Sequence, residues 1–197
     1  MHILFNNTKL NIKDYKKVNY KKNQVVFNEG DTCNYIGLIE SGNITITTYT
    51  YNEKEYEINN IPDNGIFGQF IIFGTSKYLG TGIATKNTTV VQMTKQQLLN
   101  AFKDTNFSEN YLSLISNINL KIQQKIKLLS QREIRDKIMF LLTENRKITN
   151  NNTFYFDTKE KLAFFLNITR PSLSRELINM KNDNLITYDF KSITLKK

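Results

Sequence analysis

The sequence predicts an α+β chain in three parts: a strand-rich front half, one long helix and a winged helix-turn-helix. Three observations carry that prediction. Short alternating apolar runs broken by turns fill residues 18–95. An apolar stripe at heptad spacing runs from Leu112 to Leu129. Between Asp157 and Leu185 two helical patterns meet at a turn, and a short hairpin follows. The first pattern belongs to sandwiches and small barrels. The second belongs to helices that pack along a seam.

In the front half the candidate strands are Gln24 to Phe27, Tyr35 to Glu40, Asn43 to Tyr51, Glu55 to Ile61, Gly80 to Thr85 and Thr88 to Met93. Turn residues separate them: Asn28-Glu29-Gly30-Asp31, Ser41-Gly42-Asn43, Tyr51-Asn52-Glu53 and Pro62-Asp63-Asn64-Gly65. The run ITITTYTY at 44–51 alternates as a half-buried strand does. Glu53, Glu55 and Glu57 alternate too, and with no partner acid elsewhere they read as a solvated strand face. No repeat of fixed period and no low-complexity tract is present.

Residues 106 to about 130 read as one helix. Leu112, Ile115, Asn119, Ile122, Ile126 and Leu129 are spaced 3, 4, 3, 4, 3, with Asn119 at an a-like position. A buried Asn there pairs with its twin and fixes a parallel register, at some cost in stability. Tyr111, Leu114, Ile118 and Leu128 form a second apolar face. A helix with two apolar faces needs two partners: its own domain and, along the seam, a second copy of the chain. The seam is shorter than an independent coiled coil requires. Gln131 to Glu133 form a hinge, and Ile134 to Glu144 a further amphipathic helix with Ile134, Ile138, Leu141 and Leu142 inward.

After a turn at Asn150-Asn151-Asn152 and a short strand at Thr153 to Phe156, the helix-turn-helix begins. Asp157 or Thr158 caps its first helix, and Asp157 with Glu160 has capping-box spacing. Leu162, Ala163, Phe165 and Leu166 supply apolar positions at helical spacing. Asn167 falls at the turn, where a left-handed residue is needed. Thr169 caps the second helix, and Pro171 suits its first turn, where a missing N–H costs little. Leu173, Leu177, Ile178 and Met180 face inward. Arg170, Ser172, Ser174 and Arg175 lie near the start of the other face. Short polar side chains beside forked guanidiniums are suited to base edges in the major groove. Lys159 and Lys181 are candidate phosphate contacts, and Thr158 joins the DNA-binding set. Leu185 to Asp189 and Ser192 to Leu195 flank Phe190-Lys191 as a hairpin, the wing.

Bulk numbers narrow the class. A length of 197 residues suffices for two small domains, and 40% apolar content supports real cores. The net charge is +9. Residues 1–108 hold 11 basic against 9 acidic residues, and residues 109–197 hold 16 against 9. Positive charge thus gathers in the half with the helix-turn-helix, where it attracts phosphate. No stretch approaches the roughly 20 apolar residues of a membrane span, so no membrane partner is expected. The first residues, MHILFNNTKL, hold too short an apolar run for a signal peptide. One cysteine, Cys33, cannot form an internal disulfide, so a cytoplasmic location is expected. A small filler role outweighs redox sensing for Cys33, since no basic neighbour in sequence lowers its pKa. Cysteine zinc and iron–sulfur sites lack their ligands, and His2 is the sole imidazole. No metal and no evident cofactor is therefore expected.

The order of strand-rich barrel, long helix and winged helix-turn-helix resembles the Crp–Fnr family of bacterial transcription regulators, over nearly the whole chain. FNEGD at 27–31, LIESGNITI at 38–46 and GIFGQF at 65–70 are similar to that family's barrel motifs. LAFFLNITRPSLSRELINMKNDNLI is similar to its DNA-binding signature. The resemblance implies an effector-sensing jelly-roll barrel, cyclic-nucleotide-binding-like, over 1–105. It implies a dimerisation helix over 106–130 and a winged helix-turn-helix DNA-binding domain over 131–197. Arg175 matches the family's most regular base-reading arginine, Ser174 a polar position before it, and Arg170 a second arginine of some members. Pro171 departs, standing where many members carry a glutamate that accepts from cytosine, so the half-site should differ.

The effector cassette departs further. Nucleotide-binding members have Gly-Glu where this chain has Gly68-Gln69. They have Arg-Ser or Arg-Thr near the place of Tyr78-Leu79. A tyrosine hydroxyl does not replace a guanidinium against a phosphate. Ile122 and Gln123 fall where some members touch the base. The effector, if one exists, is then not a cyclic nucleotide. Phe67, Phe70, Ile72 and Phe73 suggest an apolar-lined pocket or one packed shut.

The leading expectation is a dimer on an inverted-repeat operator, with double-stranded DNA, a second copy and, as a third candidate, RNA polymerase as partners. The alternative is a degenerate barrel-based small-molecule-binding or scaffold module without DNA output. No enzyme is expected: no nucleophile–base pair, metal cluster or phosphate-cradling glycine loop is present in the sequence.

Overall fold

The computed structural model describes residues 2–49, 51, 55–74 and 77–196. Two compact units emerge, residues 1–116 and 117–197, and the division falls inside the long helix.

The first unit is built on two four-stranded antiparallel sheets. The strands are β1 (Lys16–Tyr20), β2 (Val25–Phe27), β3 (Tyr35–Ser41), β4 (Asn43–Tyr49), β5 (Glu55–Pro62), β6 (Ile66–Phe67), β7 (Thr81–Ala84) and β8 (Thr88–Thr94). One sheet has the order β1-β8-β3-β6 and the other β2-β7-β4-β5. This is a jelly-roll-like arrangement. Among the described residues no pairing joins the two sheets, so the expected closed barrel is corrected to a pair of open sheets. Chain crossovers between sheets bury the inner faces without closing the hydrogen-bond ladder.

β3 lies between β8 and β6, and Ile36, Leu38 and Ile39 on both its faces are fully buried. A central strand reads as a continuous apolar run for that reason. Its Gly37 is required: a Cβ there would lie 2.0 Å from Cζ of Phe67. Burial of each such aliphatic side chain is worth about 1.5–3 kcal/mol. At the other extreme, β5 is an edge strand exposed along most of its length. Glu55 and Glu57 are solvated there as expected, while Glu53 lies outside the described residues.

Three elements add to the sequence expectations. β1 is lysine-rich and exposed on its outer face. β6 has two residues. Helix α1 (Lys95–Ala101) starts on a capping box, in which the Thr94 side chain accepts from the Gln97 N–H and the Gln97 side chain accepts from the Thr94 N–H. The helix α2 (Thr105–Leu129) then begins where Asp104 accepts from the Phe107 N–H at 3.0 Å. That bond and one from the Lys9 N–H hold the Asp104 carboxyl below the ordinary carboxylate range. Phe107 and Tyr111 on the first turns of α2 pack against Phe5 and Phe102.

His2 belongs to this core. Its Nε2 lies 3.1 Å from the Gly65 carbonyl, its Nδ1 accepts from the Leu4 N–H, and burial lowers its pKa. The terminal histidine is thus a packed, neutral side chain.

The second unit packs the end of α2, α3 (Ile134–Thr149), α4 (Lys159–Phe165) and α5 (Arg170–Asn182) with a three-stranded sheet. The sheet order is β10-β11-β9, from β9 (Thr153–Tyr155), β10 (Ile186–Tyr188) and β11 (Ser192–Leu195). Ile138, Leu142, Leu166, Leu173, Leu177 and Met180 form its fully buried centre. α3 runs five residues past the expected Glu144 and stops at Asn150, which takes the left-handed conformation with φ 53°. No helix among the described residues is long and apolar enough to cross a membrane.

Candidate nucleic-acid interface

α4 and α5 meet at a four-residue turn whose geometry follows from Asn167, left-handed at φ 52°. Thr158 caps α4 by accepting from the Lys161 N–H at 3.2 Å. The expected Asp157–Glu160 capping box does not form, because Thr158 is the cap and the third helical residue is Lys161. Asp157 pairs instead with Lys161, which holds its carboxyl below the ordinary range. Thr169 caps α5, accepting from the Ser172 N–H at 3.2 Å, and Pro171 occupies the first turn.

Leu173, Leu177 and Met180 point α5 into the core, but Ile178 is exposed and leaves the expected buried stripe. The helix turns past the core by the angle that separates it from Leu177. On the opposite side Arg175 is exposed and makes no ion pair among the described residues. Ser174 is half-buried beside it. The Ser172 hydroxyl lies 2.8 Å from that of Thr169. Arg170 is exposed, yet its Nε lies 2.6 Å from Oε1 of Glu160 at the start of α4. That guanidinium is shared with a carboxylate, unlike that of Arg175.

Lys159 and Lys181, 22 positions apart in sequence, come together on one ring. Their ammonium groups lie 5.0 Å and 5.8 Å from the centroid of Tyr188. Sequence reasoning missed Tyr188, because nothing in its local pattern tells that both lysines converge on it. It also missed Arg135 of α3, which donates to Glu176 at 2.7 Å and reaches Asp183 at 2.8 Å. Those bonds fix α5 from behind and raise the Arg135 pKa.

Along the α2 seam, Leu112, Asn119, Ile122, Ile126 and Leu129 are exposed and Ile115 is half-buried. The second face differs: Tyr111 and Leu128 are buried, and Leu114 and Ile118 half-buried. One chain therefore covers one of the two apolar faces.

The effector cassette is filled by its own side chains. Gly68 has φ +80° and is buried, and a Cβ there would lie 2.9 Å from the Tyr35 carbonyl oxygen. Tyr78 is 95% buried and stacks on Phe27 with centroids 3.9 Å apart. Burial pushes its hydroxyl pKa well up, so the group stays neutral, and the Cys33 thiol lies beside it. Cys33 is itself buried, its thiol donating to the Tyr35 carbonyl at 3.3 Å. Among the described residues, the buried Tyr78 hydroxyl and Gln69 Oε1 meet no hydrogen-bond partner at ordinary geometry. Phe67 and Ile72 are buried, whereas Phe70 and Phe73 are about half exposed, which removes them from the expected apolar lining. Lys95 covers the Phe73 ring at 5.0 Å. Leu79 is exposed, so it too lines nothing within this unit. Ile122 and Gln123 are exposed and belong to the second unit. Among the described residues no cluster of three or more His, Cys, Asp or Glu could hold a metal ion.

Residues 17–105 match the family described as "Cyclic nucleotide-binding domain". No curated protein matches the chain in sequence. Among solved structures it is similar to a CooA mutant from Carboxydothermus hydrogenoformans, at 16% identity over 100% of this chain and 92% of that one, TM-score 0.71. It is similar to the catabolite activator protein of Thermus thermophilus, at 16% identity over 98% and 93%, TM-score 0.56. It is also similar to a chain from Eubacterium rectale assigned to the Crp/Fnr family of transcriptional regulators, at 18% identity over 94% and 88%, TM-score 0.55. Residues 17–105 thus match the cyclic nucleotide-binding domain model, and the chain has the fold of these solved structures, one of which is assigned to the Crp/Fnr family.

Proposed function

We propose that this protein is a sequence-specific, DNA-binding transcription regulator that acts in the cytoplasm as a homodimer on an inverted repeat, and not an enzyme. Residues 1–105 form its sensing domain, 106–130 its dimerisation helix and 131–197 its winged helix-turn-helix. One observation carries this reading. At the start of α5, Arg175 is exposed with no ion pair among the described residues, beside the half-buried Ser172 and Ser174, on the half of the chain with 16 basic against 9 acidic residues. A free guanidinium at a helix start donates two parallel bonds to guanine O6 and N7. Arg170, by contrast, must first leave Glu160, so it is the secondary reader. Lys159, Lys181 and Thr158 hold phosphates and fix register. RNA polymerase is the third candidate partner.

The exposed α2 seam supports the dimer. Leu112, Ile115, Ile122, Ile126 and Leu129 form an apolar strip that a second copy would cover, with Asn119 setting register. A two-fold axis there places the two reading helices about 34 Å apart, one turn of DNA.

A cyclic nucleotide, the ligand named in the domain family's description, does not fit the residues present. Gln69 and Tyr78 stand where an acid and an arginine would grip ribose and phosphate. The Tyr78 ring is stacked on Phe27 and fills its surroundings. A phosphate buried without its cation costs several kcal/mol, enough to abolish micromolar affinity. Calorimetric titration tests this part: no saturable binding of cyclic AMP or cyclic GMP is expected. Saturation below about 10 μM, with tighter DNA binding as linkage requires, would overturn it. Genome-wide mapping of bound sites tests the rest, with inverted repeats upstream of genes as the expected result and an unpatterned distribution as the contrary one.

A further inference from the structure

A helix leaves its last carbonyls without partners of its own and carries a partial negative charge at that end. In α4, which has seven residues, each of these carbonyls can be followed to a donor. Ala163 accepts from the Ile168 N–H and Phe164 from the Asn167 N–H, both at 3.0 Å. Among the described residues no backbone N–H reaches the Phe165 or Leu166 carbonyl. Basic residues in the last turn can supply such donors, but α4 has none there. Two other helices supply them instead. Lys137 of α3 donates to the Leu166 carbonyl at 3.1 Å, and Lys125 of α2 donates to the Phe165 carbonyl. The Lys125 ammonium also lies 3.4 Å from the centroid of the Phe165 ring.

This arrangement is poor value as stability alone. Lys137 is only 9% exposed, and a buried ammonium is costly even when bonded. Lys125 is half-buried, and its burial and the charge of Lys137 both disfavour its ammonium form. Two like charges thus meet at the end of one short helix. What such groups can fix is geometry. Only Asn167, Ile168 and Thr169 separate Leu166 from Arg170, where α5 begins. A fixed end of α4 therefore fixes the start of α5. α3 holds α5 as well, since Arg135, two positions before Lys137, bonds Glu176 and Asp183.

We propose that Lys125 and Lys137 are positioning residues for DNA reading: they hold the end of α4 from α2 and α3, and so fix how α5 presents Arg175. This rests on the DNA-binding reading above. Neither lysine contacts DNA; each acts through the turn. Lys125 makes the seam helix part of the frame to which the reading helix is set.

The test uses the full-length chain, the duplex it enriches from a random library and a scrambled duplex. Wild type, Lys125→Met, Lys125→Arg, Lys137→Met and Arg175→Ala are compared by titration and thermal melt, and by amide hydrogen exchange of the DNA-free protein. Methionine keeps an unbranched stem and removes the donor. Lys125→Met and Lys137→Met should each lower the ratio of affinities for the two duplexes about tenfold. They should leave the salt slope unchanged and speed exchange at Asn167 and Ile168. Lys125→Arg keeps a donor and a cation for the ring, and should retain the ratio. Lys125 is half-exposed, so its variants decide the matter where Lys137→Met does not fold. If the methionine variants keep the wild-type ratio while Arg175→Ala loses it, the positioning proposal fails and the reading helix stands. A lower melting temperature with an unchanged ratio marks a merely structural role and also overturns it. If both duplexes bind equally more weakly, with a shallower salt slope, the lysines are phosphate contacts and the proposal fails. If wild type enriches no sequence at all, the DNA reading fails and the positioning role with it.

Discussion

In the first unit Phe27, Phe67 and Tyr78 of the cassette face inward, while Phe70 and Phe73 are half exposed. Phe27 stacks on Tyr78, and Phe67 fills the space above Gly37. In the second unit Phe164, Phe165, Tyr155 and Phe190 face outward, and three lysines sit over rings. Charge divides in the same direction: 11 basic against 9 acidic residues over 1–108, and 16 against 9 over 109–197. An inward-packed, near-neutral unit gains stability from its rings. A basic unit with exposed rings can give them to a partner, since lysines along the same surface attract a polyanion. The first unit is thus read from its interior and the second from its surface.

The largest expected effect would break that comparison from the inside. Phe67→Ala should destabilise the first unit by about 3–5 kcal/mol, because the ring is buried against Gly37 and cannot be replaced by collapse of a strand. A thermal melt checks it. A loss under about 1 kcal/mol would mean that the interior is looser than its contacts imply.

A middle-sized effect probes the surface. Lys159→Ala and Lys181→Ala should each weaken binding to all DNA sequences alike and lower the salt slope by about one. A change in base preference instead would move these lysines from phosphate to base contact. Replacing Asn119 with Ile should raise the thermal stability of the assembly while broadening its mass distribution, as loss of a register-setting Asn does. An unchanged single dimer would leave the seam's register to other residues.

The smallest effect concerns pH. Lys125 lies over the Phe165 ring, donates to the Phe165 carbonyl and faces Lys137, whose own ammonium donates to the Leu166 carbonyl. Burial first, then Lys137, lowers the Lys125 pKa to about 8 from 10.5. The folded state then releases this proton before the unfolded chain does. Stability should therefore rise as pH climbs from about 8 toward 10.5, and be flat in this respect below about 8, where both states are protonated. Lys125→Met should remove that rise in denaturant titrations at pH 7, 8.5 and 10. A rise that survives the substitution would assign it to another group.

Much of the fold was legible in the sequence because local chemistry and burial agree there. β3, β4, β5 and β8 fall between the turns the sequence marks, α2 starts and stops within a residue of its apolar pattern, and Asn167 and Thr169 serve as turn and cap. β1 was hidden because Lys16, Lys17 and Asn19 do not advertise an edge strand. β6 is too short to leave a period. α1 did carry a signal, Thr94 and Gln97 at capping-box spacing, inside a region dominated by strand patterns. At the site, residue types were legible and partners were not. Arg170 and Glu160 are ten positions apart, and their pairing depends on how α4 meets α5. Tyr188 gathers Lys159 and Lys181 for the same reason. Phe70 and Phe73 look like lining by composition, yet the turn at Gly68 carries them outward.

The central claim is that Arg175 reads a base within a two-fold site. Selection from random DNA, run in parallel with wild type and Arg175→Ala, measures it most directly. Wild type should enrich an inverted repeat with half-sites about one helical turn apart. Arg175→Ala should lose about 1–3 kcal/mol on that repeat and its preference at one symmetric guanine. The same repeat enriched by both proteins, with the guanine still preferred, would contradict the account.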